Sequence, residues 1–408
     1  MMKCGLLGRH LSHSYSPRIH AILADYSYEL FEKEPEELVS FLRSGDWDGI
    51  NVTVPYKKDV IPYLDELSPI AMKLGAVNTV IRRNGKLIGH NTDYFGFLTM
   101  VRTSGLEISG KKALVLGSGG ASNTAVAVLE ELGAKVTVIS RTGKNHYGNL
   151  HLHRDAALLV NTTPVGMFPH NGKSPVNLEM LPNLEGVLDV IYNPARTQLL
   201  LDAEKRGLPA VNGLLMLVAQ AKEASEWFTG QAIDDSIIAK IHQKLRQQME
   251  NIVLIGMPGC GKSTVGKALA AQLGKKFTDA DLITEEIAGM PIPEIFDRFG
   301  EDIFRNYETA ALSKLGMLSG LVIATGGGCV VRERNYPLLH QNSTIVWLKR
   351  NISSLPTDGR PLSQQQKLSE MYQIRKPLYE AFADYEINND GNLIETINQV
   401  TAIREDCL

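Results

Sequence analysis

The amino-acid sequence predicts an α/β protein built on parallel β-sheets, with a nucleotide-binding turn in each half of the chain. Its 408 residues are 44% hydrophobic and 21% charged. This composition is typical of a globular protein, and the length suits roughly two to four domains. Short apolar runs at 113–116 and 252–255 each precede a glycine cluster and a helix-period segment. That order is typical of parallel strands joined by crossover helices.

Charge and cysteine content exclude several classes of protein. The net charge of −3 provides no basic field for nucleic acid. The four cysteines are far apart in the sequence, which favours a reducing compartment. The N-terminus has no apolar run of signal-peptide length, and the most apolar later stretch, 214–221, is too short to span a membrane. We therefore expect a cytoplasmic protein without nucleic-acid or membrane partners.

The first glycine-rich turn predicts a dinucleotide site. A strand predicted at 111–116 is followed by Gly117-x-Gly119-x-x-Ser122 and then by a helical run at 124–132. Glycine permits a tight turn and close approach of a pyrophosphate, and the helix N-terminus supplies N–H donors. The residues expected to contact the cofactor here are Gly117, Gly119, Gly120, Ala121 and Ser122.

The residues after the next predicted strand favour NADP(H). The strand at 135–139 ends at Ser140-Arg141-Thr142. An NAD site would place an acidic residue there for the ribose 2′-hydroxyl, whereas a cation and hydroxyls suit a 2′-phosphate. The alternative is that Arg141 is an ordinary solvated surface residue.

Four polar segments lie in the first hundred residues, at 12–17, 51–57, 75–79 and 89–93. Taken singly, each reads as loop serines, a surface lysine or turn-forming Asn and Asp. Together and in this order they closely resemble the shikimate dehydrogenase family, over about residues 1–245. That family reduces 3-dehydroshikimate to shikimate with NADPH.

The resemblance implies a role for each matching residue. Ser14 and Ser16 would hold the substrate carboxylate, and Lys57 and Asp93 would be the catalytic pair. A Lys and an Asp within hydrogen-bond reach can supply and relay a proton to a developing alkoxide. Further contacts are implied for the substrate at Thr53, Asn78, Tyr192 and Gln220, and for the cofactor at Gly213.

The sequence departs from this family at two places in the dinucleotide region. Ser140 stands where the family usually has Asn before Arg-Thr. The stretch 143–155 is short and a poor helix former. We therefore predict that one crossover helix is reduced to a loop.

The second glycine-rich turn predicts a P-loop that binds ATP and Mg²⁺. Gly256-x₄-Gly261-Lys262-Ser263 follows the strand at 252–255 and opens a helix. In such a loop successive N–H groups cradle phosphates, the lysine reaches the β- and γ-phosphates and the serine binds Mg²⁺. The residues expected to contact ATP are Gly259, Gly261, Lys262, Ser263 and Thr264.

Further motifs narrow the class of kinase. Asp279-Ala-Asp281 follows the next predicted strand. If the strand continues through this motif, both carboxylates lie on one face of it, where one can serve the metal and the other a substrate hydroxyl. A solvated acidic turn is the alternative. With Phe304-Arg305, the glycines after Thr325 and the basic motifs at Arg360 and Arg375, the set resembles the shikimate kinase family over about residues 250–390.

This second resemblance also implies residue roles. Asp281 would orient and deprotonate the shikimate hydroxyl, Arg305 and Arg375 would clamp the carboxylate, and Asp279 would lie near Mg²⁺. The remaining implied contacts are the Gly326, Gly327 and Gly328 backbone with the ring hydroxyls, and Arg360 as a lid cation over ATP. The lid at 351–360 departs from the family, since an additional upstream Arg is absent. Arg350, the nearest other cation, is expected to face solvent or the adenine side.

The two resemblances imply consecutive reactions on one metabolite, because the first product is the second substrate. We expect a substrate domain at 1–94 with return helices at about 214–248, a Rossmann NADP domain at 95–213, and a parallel-sheet kinase domain at 251–408. The partners expected are small-molecule substrates, and the chain is expected to be a monomer or homodimer. Two alternatives stay open: one half is a silent binding module, or the first half is an NAD-dependent quinate-type dehydrogenase, which Arg141 disfavours.

Overall fold

The computed structural model describes residues 1–11, 14–355 and 368–406. Within them the β-strands are β1 (Lys3–Gly8), β2 (Ser27–Glu32), β3 (Gly49–Val52), β4 (Glu66–Leu67), β5 (Thr79–Arg83), β6 (Lys86–His90), β7 (Lys112–Leu116), β8 (Lys135–Ile139), β9 (Leu158–Asn161), β10 (Gly186–Asp189), β11 (Ala210–Val211), β12 (Asn251–Ile255), β13 (Lys276–Asp279), β14 (Leu321–Ala324), β15 (Ser343–Lys349) and β16 (Tyr385–Asn388). The α-helices are α1 (Ser16–Leu23), α2 (Leu38–Ser44), α3 (Pro69–Leu74), α4 (Asp93–Thr103), α5 (Gly120–Glu131), α6 (Gln198–Lys205), α7 (Leu214–Thr229), α8 (Ser236–Met249), α9 (Lys262–Leu273), α10 (Ala280–Ala288), α11 (Ile292–Gly316), α12 (Asn335–His340), α13 (Leu368–Phe382) and α14 (Leu393–Asp406).

The first compact unit comprises residues 1–166, 173–192 and 199–242 and contains two sheets. One sheet has the order β2-β1-β3-β5-β6-β4, in which β5 runs antiparallel to β3 and β6. The other is fully parallel, in the order β11-β10-β9-β7-β8. The confirmed fold class is therefore α/β.

Helices α4 and α7 pack closely inside this unit. A Cβ at Gly96 on α4 would approach the Met216 carbonyl oxygen on α7 to 2.6 Å. Only glycine permits this close packing of the two helices. The packing brings the N-terminus of α4 next to the residues of α7 around Met216. Phe97 and Met100 of α4 are fully buried beside Met216.

The connection from β8 to β9 contains no α-helix. It holds a 3₁₀ helix at Tyr147–His153 instead, which confirms the prediction of a reduced crossover. Leu150 anchors this segment by burying its side chain in the core under the parallel sheet.

The second compact unit comprises residues 167–172, 193–198 and 243–408. Its five strands are all parallel, in the order β13-β14-β12-β15-β16. All five residues of β12 are buried, as expected for a central strand covered on both faces. Arg196 donates to the carbonyls of His340 (3.1 Å) and Ser343 (3.2 Å), and so joins one of the two short early segments to the end of α12 and the start of β15.

In the part of the chain that the structure describes, no helix has the length and apolar character needed to cross a membrane.

Candidate active sites

The first unit contains a polar cavity of about 280 Å³, here called the first cavity. It brings together side chains as far apart in the sequence as Ser14 and Gln220. The predicted substrate and catalytic residues that line it are Ser14, Ser16, Thr53, Lys57, Asn78, Asp93, Tyr192 and Gln220. Ala121 and Gly213, both predicted at the cofactor, also line it.

Lys57 and Asp93 form an ion pair in this cavity. Lys57 Nζ lies 2.6 Å from Asp93 Oδ2. Asp93 is the first residue of α4 and is buried, and the partial positive charge at a helix N-terminus favours a carboxylate there. Lys57 keeps 23% of its side chain exposed, so its ammonium group is accessible to a molecule in the cavity.

Asn78 fixes the orientation of the Asp93 carboxylate. Asn78 Nδ2 donates to Asp93 Oδ1 (2.9 Å), while Asn78 Oδ1 accepts from the Thr92 backbone N–H (2.7 Å). Both Asp93 oxygens are therefore held, one by the amide and one by Lys57. The amide orientation follows from these bonds, because only the –NH₂ group can donate to a carboxylate.

Two serines and one tyrosine, Ser14, Ser16 and Tyr192, form another part of the cavity wall. The Ser16 backbone N–H donates to Ser14 Oγ (3.2 Å), which holds the Ser14 side chain at the start of α1. Tyr192 lies edge-on to Tyr15, with ring centroids 6.1 Å apart. Burial, and then the nearby Tyr15, raises the pKa of Tyr192 to about 12, so the phenol stays a neutral hydrogen-bonding group.

The dinucleotide turn follows β7 as predicted. Gly117 has φ of +108°, a conformation that favours glycine, and Ser122 Oγ donates to the Gly117 carbonyl (2.8 Å). Serine at the third position of the motif therefore closes the turn.

Apart from the adjacent backbone, a Cβ at Gly119 or Gly120 would meet nothing within 4 Å, and neither glycine has a positive φ. Neither packing nor backbone conformation demands glycine at these two positions. Close approach of a ligand would, and this fits a pyrophosphate at the N-terminus of α5.

Arg141 lies beside this turn at the end of the neighbouring strand. Leu116 of β7 is paired with Ile139 of β8, and the Gly117 N–H donates to the Ile139 carbonyl (2.8 Å). Arg141, two residues further on, is exposed, and Ser140 Oγ donates to the Thr142 carbonyl. A cation and hydroxyl groups therefore stand where the turn leaves the sheet.

Sequence reasoning missed His20 and Asn51, which also line the first cavity. Asn51 Oδ1 accepts from Tyr28 Oη (2.7 Å), and His20 stacks on the Tyr28 ring at 3.9 Å between centroids. Burial lowers the pKa of His20 to about 3, so the imidazole stays neutral. Asn51 lies in β3 and opens the motif that contains Thr53 and Lys57.

The second unit contains a cavity of about 530 Å³, here called the P-loop cavity. It joins the loop after β12 to the ends of β13 and β14. The predicted residues that line it are Gly259, Gly261, Lys262, Ser263, Thr264, Asp279, Asp281, Arg305, Gly326, Gly327, Gly328 and Arg375. Arg360 lies outside the described residues.

The P-loop has the expected backbone form. Gly256, Gly259 and Gly261 all have positive φ, at +141°, +80° and +103°. Lys262 begins α9, and its Nζ donates to the carbonyls of Gly256 (2.9 Å) and Met257 (3.0 Å). The ammonium group is thus held over the loop that would receive the phosphates.

The expectation that Asp279 and Asp281 share a strand face is wrong. Asp279 ends β13 and caps α10, since its Oδ1 accepts from the Asp281 backbone N–H (3.1 Å). Aspartate is a favoured N-cap, and this bond turns the chain into the helix before Asp281. Asp279 Oδ2 also accepts from Ser263 Oγ (2.7 Å), so the two proposed metal-side oxygens are neighbours.

Asp281 is poised to exchange a proton near neutral pH. Burial, followed by repulsion from Asp279 and Glu308, raises its pKa from 3.8 to about 6. A Cβ at Gly326 would lie 2.7 Å from Asp281 Oδ1 and 2.9 Å from Glu308 Oε1. Gly326 therefore leaves room for both carboxylates at the carboxyl end of β14.

The two arginines expected to clamp a carboxylate lie near the same end of β14. Arg305 is buried, and it pairs with Glu301 (2.8 Å) and Glu308 (2.9 Å). Arg375 Nη1 donates to the Gly327 carbonyl (3.1 Å). A side chain at Gly328 would overlap the Arg305 guanidinium, so glycine is required there.

Sequence reasoning did not assign site roles to Glu285, Phe296, Glu308 or Arg350, which also line the P-loop cavity. Glu308 is fully buried against Arg305, and burial raises its pKa. The three-residue spacing from Arg305 on one helix was the available signal.

Comparison with known proteins gives the first part of the chain a family. Residues 6–80 match the family model of the shikimate dehydrogenase substrate binding domain. A shikimate dehydrogenase (NADP(+)) of Clostridium beijerinckii is 36% identical over 267 residues, which cover 60% of this chain and 97% of the relative.

Solved structures agree. Shikimate dehydrogenase 1 from Peptoclostridium difficile has a TM-score of 0.57 and 37% identity, covering 60% of this chain and 98% of its own. The shikimate 5-dehydrogenase from Thermus thermophilus, in complex with NADP(H) and shikimate, has a TM-score of 0.55 and 34% identity, covering 60% of this chain and 99% of its own.

The later part of the chain matches a different family model. Residues 258–404 match shikimate kinase. These residues include the P-loop lysine, both aspartates, and Arg305 and Arg375. The chain therefore belongs to the shikimate dehydrogenase family and carries, after that part, a shikimate kinase domain.

Proposed function

We propose that this bifunctional enzyme of the shikimate pathway reduces 3-dehydroshikimate to shikimate with NADPH and then phosphorylates shikimate to shikimate 3-phosphate with ATP. One observation carries the proposal. Each cavity joins a nucleotide-binding turn to a proton-transferring carboxylate and to groups that suit a small carboxylate ligand.

In the first cavity, Lys57 donates a proton to the oxygen of the ketone as it becomes an alkoxide. Asp93, held by Lys57 and by Asn78, keeps the ammonium group in position and relays the proton. Ser14 and Ser16 hold the substrate carboxylate. The remaining contacts are assigned to Thr53, Asn78, Tyr192 and Gln220.

The dinucleotide turn holds NADPH, which supplies the hydride when it is bound. The open positions at Gly119 and Gly120 support this fit. The other residues assigned to the cofactor are Gly117, Ala121, Ser122, Ser140, Arg141, Thr142 and Gly213. Arg141 selects the 2′-phosphate, because a guanidinium forms charge-assisted hydrogen bonds with it.

In the P-loop cavity, Asp281 accepts the proton of the shikimate 3-hydroxyl. Its raised pKa makes it a stronger base than an ordinary carboxylate while leaving it ionised above pH 6. Arg305 and Arg375 clamp the substrate carboxylate in a planar, bidentate manner. The backbone of Gly326, Gly327 and Gly328 contacts the ring hydroxyls.

The loop residues Gly259, Gly261, Lys262, Ser263 and Thr264 hold ATP. Ser263 Oγ and Asp279 Oδ2, 2.7 Å apart, are the oxygen donors that Mg²⁺ prefers. Mg²⁺ held by these two oxygens would neutralise phosphate charge during the transfer. Arg360 stays assigned to the nucleotide from the sequence alone.

We propose the domain boundaries given by the sequence, a cytoplasmic location and a monomer or homodimer. The test supplies the full chain with 3-dehydroshikimate, NADPH, ATP and Mg²⁺ and identifies products by mass spectrometry. We expect shikimate 3-phosphate, and shikimate when ATP is omitted. Shikimate as the final product in the presence of ATP would refute the kinase half. Oxidation of quinate by NAD⁺, with no reduction of 3-dehydroshikimate by NADPH, would refute the first half.

A further inference from the structure

Arg350 is the first residue after β15, and it lines the P-loop cavity. Among the described residues, its guanidinium has no hydrogen bond or ion pair. Lys262, Arg305 and Arg375, the other described cations of this cavity, each donate to a protein oxygen. The positive charge of Arg350 is therefore not paired with any described protein group, in a cavity expected to bind both a nucleotide phosphate and a substrate carboxylate.

The strand order places Arg350 on the nucleotide side of the cavity. β12, which leads into the P-loop, lies between β14 and β15. Arg305 and the glycines at 326–328 belong to the β14 side, where the acceptor is expected. Ile255, the last residue of β12, pairs with Trp347 in β15, so Arg350 lies three residues beyond the level at which β12 ends. It flanks the loop from the side opposite the acceptor.

The backbone on both sides of this arginine is fixed to the segment that holds the P-loop. The Lys349 carbonyl accepts from the Asn389 N–H (2.7 Å), and the Asn351 N–H donates to Asp390 Oδ1 (2.8 Å). Asn389 is buried, and its Nδ2 donates to the Cys260 carbonyl inside the P-loop (2.7 Å). The position of the arginine Cα is thus tied to the position of the loop.

We propose that Arg350 binds a phosphate group of the bound nucleotide, beside Lys262. The proposal rests on the proposed kinase function. A guanidinium presents paired N–H donors that match phosphate oxygens, and a fixed backbone lowers the entropy lost on binding. Arg350 in this way supplies, from the end of a strand, charge that the short lid sequence lacks.

The test measures MgADP binding to the full chain by calorimetric titration, at low and at moderate KCl. The variants are Arg350→Ala, Arg350→Lys and the matched control Lys349→Ala, which removes a neighbouring cation that pairs with Glu386. We expect Arg350→Ala to weaken MgADP about tenfold, the lower end for a charged hydrogen bond because the group is exposed. We also expect a shallower salt dependence, since one screened attraction is lost.

Arg350→Lys should keep most of the affinity, and Lys349→Ala all of it. The KM for shikimate should stay within about twofold in all variants, which separates a nucleotide contact from a general loss of structure. Unchanged MgADP affinity in Arg350→Ala would overturn the proposal. An equal loss of affinity in Arg350→Ala and Arg350→Lys, with unaltered salt dependence, would also overturn the proposal, because it would indicate that Arg350 contacts the adenine base and not a phosphate. A wild-type chain that neither binds MgADP nor phosphorylates shikimate would refute the kinase function itself.

Discussion

The raised pKa of Asp281 makes the kinase reaction sensitive to pH in a range where an ordinary aspartate is fully ionised. With a pKa of about 6, only about a tenth of the carboxylate is ionised at pH 5. The kcat/KM for shikimate should therefore be about tenfold lower at pH 5 than at pH 8. A carboxyl group at the ordinary value of 3.8 would lose less than about a tenth of its activity over the same range.

Removal of Asp279 tests the cause of this shift. Asp279 is the largest electrostatic contributor after burial, and Glu285 is the smallest that acts in the same direction. Removing a nearby negative charge makes ionisation of Asp281 easier, so its pKa falls. In Asp279→Asn the acidic limb should move to lower pH, even though kcat falls because the metal-side oxygen is lost. Glu285→Gln, in the same cavity, should shift the acidic limb less than Asp279→Asn does.

The assay records initial rates of shikimate phosphorylation between pH 5 and 8 at saturating MgATP. Protonation of the nucleotide affects all three enzymes equally, so only the differences between them report on Asp281. Dehydrogenase activity of the same chain gives the concentration of active protein. An acidic limb at the same pH in wild type and Asp279→Asn would refute the electrostatic reasoning. A flat wild-type profile down to pH 5 would refute the raised pKa.

Three further predictions follow from the geometry. Lys57→Ala and Asp93→Asn should each lower 3-dehydroshikimate reduction by about 10²–10⁴-fold, measured as NADPH oxidation, and leave phosphorylation unchanged; near-normal rates would remove the pair from the mechanism. Arg141→Ala should weaken NADPH use by roughly 10–100-fold relative to NADH, and an unchanged NADPH/NADH ratio would place Arg141 away from the cofactor. Asp281→Asn should abolish phosphorylation yet stabilise the kinase unit above pH 6, by at most about 3 kcal/mol for a pKa raised by two units. The folded state disfavours ionised Asp281, so its stability falls as pH rises through 4–6; thermal unfolding at pH 4 and pH 7.5 should therefore show a gain only at pH 7.5.

Both glycine-rich turns were predictable because each is encoded within a few adjacent residues. A turn with positive φ at Gly117 or Gly261 needs glycine at that one position, and the apolar run before it marks the strand. The reduced crossover was predictable in the same way, since the stretch after Arg141 lacks helix-forming residues. Local rules thus sufficed where the structure depends on local conformation.

Other features depend on contacts that a linear pattern does not contain. Asp279-Ala-Asp281 fits the period of a strand and equally the start of a capped helix, and the bond from the Asp281 N–H to Asp279 decides between them. Arg350 follows a strand whose place beside β12 is set by sheet order. Its position in the P-loop cavity could not be read from its sequence neighbours. Asn51 shares a motif with Thr53 and Lys57, but its orientation depends on a hydrogen bond from Tyr28, 23 residues away in the sequence.

The electrostatic surroundings of Asp93 and Asp281, the two carboxylates proposed to be catalytic, differ in the direction that the two proposed reactions require. Reduction must deliver a proton to a substrate oxygen, and there Asp93 is ion-paired at 2.6 Å with Lys57, a cation that can donate. Phosphoryl transfer must remove a proton from a substrate hydroxyl. There Asp281 has carboxylate neighbours in Asp279 and Glu308, and its attraction to Lys262 does not cancel their effect. An aspartate is therefore held as the partner of a proton donor, Lys57, in the first unit, and as a proton acceptor in the second. Exchanging the surroundings should cost each reaction its proton transfer while leaving substrate recognition in place.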